Sequence, residues 1–209
     1  MRNKILVFLM MIVLFITTTV FAATFTDLPA DHWAINYITD LTEKQVVNGY
    51  PDGTFRPEET ISRGEFLKLV IAASMPKDVP IALAPSAMEH WAGQYLYVAN
   101  TYGVVSANDI TLENIDLPIT RREMAKMITK ADCYMRGNPK NMEQSLTFTD
   151  FSEFDASERE FLTHAISQEY LNGYPDGSFG PDNEMTRAEA ATVIYRFTNK
   201  GGEIELEEK

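Results

Sequence analysis

The chain has 209 residues, with 18 basic against 30 acidic side chains, a net charge of −12 and one cysteine. That balance excludes a nucleic-acid binder, which needs a basic patch, and adhesion to an anionic surface by bulk charge. A lone cysteine, Cys133, excludes an intramolecular disulfide, so packing has to hold the fold, and Cys133 reads as a small core residue.

At the N-terminus Arg2 and Lys4 precede an apolar run, Ile5 to Phe15, and then small residues at Val20 and Ala22. Basic, apolar and small-residue segments in this order predict a secretory signal peptide over 1–22. The apolar stretch is shorter than the ~20 residues a bilayer span needs, and no later stretch is apolar enough to span one.

A unit begins at Phe25: "FTDLPADHWAINYITDLTEKQVVNGYPDGTFRPEETISRGEFLKLVIAAS". Trp33, Tyr37, Ile38 and Leu41 fall on one helical stripe, with Asp31 as a candidate N-cap and Gly49 as the stop. Tyr50-Pro51-Asp52-Gly53 reads as a type I turn, with proline setting φ at its second position. Its acidic residues lack the alternating ligand positions of a calcium loop. A second stripe, Phe66, Leu67, Val70 and Ile71, predicts the next helix.

The middle unit is divergent. "EHWAGQYLYVAN" repeats His-Trp-Ala, and Met124, Met127 and Ile128 repeat the second stripe, but "SANDITLENIDLP" replaces the Tyr-Pro-Asp-Gly loop. Trp33 to Arg63 and Trp91 to Arg121 are both 30 residues, so the spacing survives where the letters do not. The third unit, from Phe148, restores "FTD" and "NGYPDGSFGP" and ends on Ala190, Val193, Ile194 and Phe197, but has no tryptophan. The expected organisation is a signal peptide 1–22, repeats over 23–78, 79–136 and 137–198, and an acidic flexible tail 199–209. No helix buries its stripe alone, so the fold class expected is mainly α, three helix-loop-helix repeats packed on a shared axis.

No catalytic signature is present. The histidines are scattered, Cys133 has no evident partner, and phosphate-loop, dinucleotide and nucleophile-elbow motifs are absent. No metal or cofactor is expected. What recurs is "ISRGE", "ITRRE" and "MTRAE". Ser62, Thr120 and Thr186 with Glu65, Glu123 and Glu189 fit the capping box. Arg63, Arg121 and Arg187 sit in the first helical turn, where a cation opposes the helix dipole. Two readings stay open for them: each reaches a structural carboxylate, with Asp27 and Asp150 as candidates, or each holds an anion beside free helix-start amides. Trp33 and Trp91 likewise read either as core or as groove residues that stack on a sugar ring.

The order F-x-D, His-Trp-Ala, N-G-Y-P-D-G-x-F-x-P and I-T-R-x-E resembles the S-layer homology domain in three tandem copies, over Phe25 to about Phe197. The resemblance implies one pseudo-threefold domain around a central helical bundle, with grooves between units. It also implies a non-enzymatic wall anchor at the bacterial cell surface that binds a pyruvylated secondary cell-wall polysaccharide or a modified peptidoglycan. By that resemblance Arg63, Arg121 and Arg187 hold the anionic sugar, with Ser62, Thr120 and Thr186 beside them and Trp33 and Trp91 at the groove. The departures in units two and three imply unequal grooves. An adaptor that binds another cell-surface protein, its arginines buttressing the fold, is the competing expectation.

Overall fold

The computed structural model describes residues 25–74, 90–137 and 146–200. The expected signal peptide, the first linker, most of the second and the tail from Gly201 lie outside them. The described residues form α1 (Ile35–Glu43), α2 (Arg63–Ser74), α3 (Gly93–Thr101), α4 (Arg121–Arg136), α5 (Ala156–Ser167) and α6 (Arg187–Asn199). A short 3-10 turn at Phe151–Glu153 precedes α5, and β-pairing among the described residues is limited to isolated bridges. The fold is mainly α, as the stripes predict.

The second helix of each pair supplies the centre. Phe66, Leu67, Val70 and Ile71 of α2, Met124, Met127 and Ile128 of α4, and Ala190, Val193, Ile194 and Phe197 of α6 are all buried. The first helix of a pair lies on the second helix of the pair before it: α3 on α2, α5 on α4, and α1 closing on α6. Burying a Leu, Ile or Phe side chain stabilises by roughly 1.5–3 kcal/mol, so this shared centre dominates the favourable side of folding.

Around the axis the backbone closes a ring. Ile61 N–H donates to Met185 O, Met185 N–H to Ile119 O, and Ile119 N–H to Ile61 O, each at 3.0 Å. These three buried residues each precede a cap, so every pair is hydrogen-bonded to both others.

Three local expectations change. Trp33 does not belong to the α1 stripe, which starts at Ile35 and buries Ile38 and Leu41. Asp31 does not cap the helix: the N-terminus at Ala34 is served by His32, whose Nδ1 accepts from Ala34 N–H at 3.1 Å. Nor does Gly49 end α1. The helix stops at Lys44, and Gln45 takes the left-handed φ of 60° that terminates it. Gly49 is small for another reason: a Cβ there would run into the Phe25 ring and the Thr54 carbonyl, and Gly173 is pressed in the same way by Phe148.

That contact shows what the Phe-Thr-Asp motif does. Asp27 accepts from Phe55 N–H and Arg56 N–H, both at 2.7 Å, and Asp150 accepts from Phe179 N–H and Gly180 N–H. The turn itself forms as expected, with Gly53 N–H donating to Tyr50 O at 3.0 Å and Gly53 at φ 83°. Asp52 holds it from inside, accepting from the Thr54 hydroxyl at 2.6 Å and the Thr54 amide at 3.0 Å. Those donors, the hydroxyl first, and Arg56 bring its carboxyl down to about 2. Asp27→Ala should leave two loop amides without an acceptor and cost about 2–3 kcal/mol, read from the denaturant midpoint. A loss below 0.5 kcal/mol would show that the loop holds itself.

At the α4–α5 junction, buried Asp132 accepts from His164 Nε2 at 2.6 Å and Tyr170 hydroxyl at 2.9 Å and pairs with Arg136. Burial opposes ionisation there, but these donors hold the Asp132 carboxyl below the usual range. Cys133, next along α4, is half-buried rather than fully so, and burial pushes its thiol up.

Candidate functional site

Ser62, Thr120 and Thr186 form the capping boxes the sequence predicts. Each hydroxyl accepts from the Glu amide three residues on, at 3.2–3.3 Å, and each Glu carboxylate accepts from the cap amide at 2.9–3.0 Å. The next two amides are not free, contrary to the expectation of an open helix start. Arg63 and Gly64 donate to Leu117 O and Ile115 O, Arg121 and Arg122 to Asn183 O and Pro181 O, and Arg187 and Ala188 to Glu59 O and Pro57 O. In every case the acceptors lie on the loop of the next pair in the cycle.

The arginine side chains follow the same cycle. Arg63 Nε and Nη2 grip Glu123 at 2.7–3.1 Å, and Nη1 donates to Asn114 O at 3.1 Å. Arg121 Nε donates to Phe179 O at 2.8 Å and Nη2 to Asn172 O at 2.6 Å. Its guanidinium lies over the rings of Tyr174 and Phe179, and burial pushes its pKa down. Arg187 Nε donates to Phe55 O at 2.9 Å and Nη1 to Glu65 at 3.3 Å, beneath Tyr50 and Phe55. Two arginines therefore reach a carboxylate, but it is the capping glutamate of the neighbouring pair. Asp27 and Asp150 serve loop amides instead.

The tryptophans are not core. Trp33 is 55% and Trp91 49% exposed, each against the preceding histidine ring. The histidines explain the pose. His32 and His90 accept through Nδ1 from the amides of Ala34 and Ala92, which leaves Nε2–H to donate to Glu58 and Asp116 at 3.1 and 3.0 Å. The His-Trp-Ala motif thus caps a first helix and turns an indole outward. In the third pair Asp155 caps α5 through its own capping box with Glu158, and no indole is presented.

Trp91 borders a cavity of about 220 Å³ between the first and second pairs, with Asn48, Tyr50, Glu65, Lys68 and Arg187. Lys68 is exposed and makes no ion pair or hydrogen bond among the described residues. Sequence reasoning missed Lys68; its signal was the position three residues after the capping glutamate, which is Lys126 in α4 and Thr192 in α6. Between the second and third pairs a similar cavity of about 220 Å³ is crossed by ion pairs, Lys126–Asp109 at 2.8 Å and Arg122–Glu158 at 2.9 Å. In α6, Thr192 is buried and its hydroxyl donates to Ala188 O. Among the described residues no group of three or more His, Cys, Asp or Glu side chains could hold a metal ion.

Comparison with known families supplies the name. Residues 24–67 and 147–191 match the model of the S-layer homology domain. These two segments are S-layer homology domains. The middle pair lies outside the matched segments, but it keeps the capping box, the buried arginine and its place in the ring.

Among curated proteins the chain is 28% identical over 181 residues to S-layer protein EA1 of Bacillus anthracis, covering 85% of this chain and 20% of that protein. It is 30% identical over 165 residues to the cellulosome-anchoring protein of Acetivibrio thermocellus, covering 74% and 36%. It is 27% identical to an amylopullulanase of Thermoanaerobacterium thermosulfurigenes, covering 87% and 10%. The chain thus spans from about a tenth to about a third of these relatives. The S-layer homology segments and the S-layer and cell-surface relatives put it at the cell surface.

Proposed function

We propose that the chain attaches non-covalently to the cell wall by binding an anionic, pyruvylated secondary polysaccharide, and that it does so as a binding module rather than a catalyst. The observation that carries this reading is the groove between the first and second pairs. There a half-exposed indole, Trp91, stands with the unpaired ammonium of Lys68 over a cavity of about 220 Å³. An aromatic face and a cation side by side suit a sugar ring that bears a carboxylate. Glu65 in the wall of the groove is turned to Arg187 and the Ser62 cap, which reduces its repulsion of an anion.

In this reading Arg187 frames the groove, while Arg63 and Arg121 with Ser62, Thr120 and Thr186 hold the three pairs in register so that the groove exists. In the second groove Arg122 and Lys126 are already held by carboxylates, and the third pairs a buried Thr192 with a buried Arg121. One polysaccharide site per chain follows, with Trp33 outside it. The enzyme-named amylopullulanase shares only this segment, a tenth of its length, which supports a module joined to different partners.

The test is sedimentation with purified wall polysaccharide before and after removal of its pyruvate ketals. Binding is expected to the pyruvylated polymer and to be lost on removal. Equal binding to both would overturn the anionic-sugar reading. Recovery of a surface protein without glycan would favour the adaptor role instead.

A further inference from the structure

We propose that His90 is a proton-operated positioning residue for Trp91. As a neutral ring it holds the indole at the first groove, and on taking up a proton it lets the indole go, so that binding weakens as the surroundings acidify. The consequence for binding rests on the polysaccharide reading above, whereas the movement of the indole does not.

The bonds of the ring fix the direction. Nδ1 of His90 accepts from Ala92 N–H at 3.1 Å, and Nε2–H donates to Asp116 at 3.0 Å. A second proton leaves Nε2 a donor, so the bond to Asp116 survives in either state. Nδ1 changes role: it gains a hydrogen and then faces the Ala92 N–H donor to donor. Ala92 is fully buried and starts α3 with no side-chain cap of its own. A buried amide without an acceptor is costly, so either the ring turns away or the first turn opens. Trp91 sits in the chain between the two bonded residues, its ring 5.7 Å from that of His90, and borders the cavity. Both movements displace the indole.

The arrangement occurs twice. His32 accepts from Ala34 N–H and donates to Glu58, with the Trp33 ring stacked on it at 5.6 Å. The third pair starts its helix on Asp155, and no tryptophan accompanies that carboxylate. A first helix of this fold thus starts without a histidine, and the ring goes with the exposed indole. Charged side chains on the elements around the start of α3 are Arg63, Glu65 and Lys68 of α2, Glu113 and Asp116 of the loop, and Arg187 of α6. Arg63 is engaged with Glu123, and Arg187 with Glu65. Asp116 is bonded to the ring and is 68% exposed, so it can follow the ring rather than pin it.

The experiment follows the Trp91 indole N–H and the His90 ring signals by NMR between about pH 8 and about pH 5, in a Trp33→Phe chain that isolates one indole. Affinity for the pyruvylated polysaccharide is measured at both ends. The indole signal is expected to move with the His90 midpoint, and affinity to fall about tenfold on the acid side, the loss of one hydrogen bond. His90→Asn offers an acceptor where Nδ1 stands and cannot take the proton, so its affinity should be the same at both ends. His90→Gln keeps a donor for Asp116 but no acceptor for Ala92, and should bind more weakly than His90→Asn at both. An indole signal that ignores the His90 midpoint, or a folded His90→Asn chain that loses affinity with acid as the parent does, would overturn the proposal. If the indole follows His90 while the polysaccharide binds at neither end, the polysaccharide reading fails and the positioning role of His90 stands.

Discussion

Arg121→Leu should destabilise the chain by about 3–5 kcal/mol, the largest loss expected of any single substitution considered. The side chain is buried, and it is the donor to Phe179 O and Asn172 O, two carbonyls of the third pair. Leucine fills part of the volume but leaves both carbonyls without that donor. The buried Phe179 carbonyl left without a donor costs roughly 1–3 kcal/mol, Asn172 lies at the surface and costs less, and the packing of the guanidinium against Tyr174 and Phe179 is lost as well. Urea unfolding would measure it. Arg63→Leu should cost less, because Glu123 is partly exposed and can turn to water. If Arg121→Leu unfolds at the wild-type midpoint and loses polysaccharide binding, the arginine holds ligand and the buttressing account fails.

Lys68→Gln combined with Trp91→Ala should weaken polysaccharide binding at least about a hundredfold, with stability nearly unchanged. Both side chains are substantially exposed, so their removal opens no cavity in the core. Glutamine keeps the length of Lys68 without its charge, and alanine removes the stacking face. Trp33→Ala provides the contrast, since it deletes an equally exposed indole beside a pair that has Thr192 where Lys68 stands. Loss of binding in Trp33→Ala with retention in the double variant would move the site to the other groove.

Local physics was readable in the chain itself. The hydroxyl and glutamate of "ITRRE" can satisfy each other within one turn, and the stripes of α2, α4 and α6 need only a 3.6-residue period. Partners that lie far along the chain were not readable. Arg63 meets Glu123, 60 residues on, and Arg187 meets Phe55 O, 132 residues back. A cation in the first turn looked unfavourable because its compensation came from another repeat. The glutamate of each motif was visible as half of a capping box, while the second role of Glu65 and Glu123, receiving the preceding pair's arginine, needed the cyclic packing. The same holds for Gly49, which resembled a helix stop until the Phe25 ring appeared against it.

The tryptophans failed for a different reason. A large apolar residue just before a helix satisfies a stripe count as well as a true core residue does. Only the capping histidine reveals that the chain has not yet entered the helix at Trp33, so the indole turns outward. The middle loop was legible as a departure, but its consequence was not. Asn114 now offers its carbonyl to Arg63, and Asp109 takes Lys126.

The ring of Ile61, Ile119 and Met185 also sets an order of events. Ile61 N–H has its acceptor on Met185, 124 residues further along, so the ring cannot close until the chain is present through the start of α6. Such long-range closure is slow, because the entropy of a large loop is lost before its contacts form. A chain that emerges from its N-terminus onward therefore stays open until its last helix arrives. Until then the first two pairs can join only through their own contacts, Ile119 N–H on Ile61 O and Arg63 on Glu123.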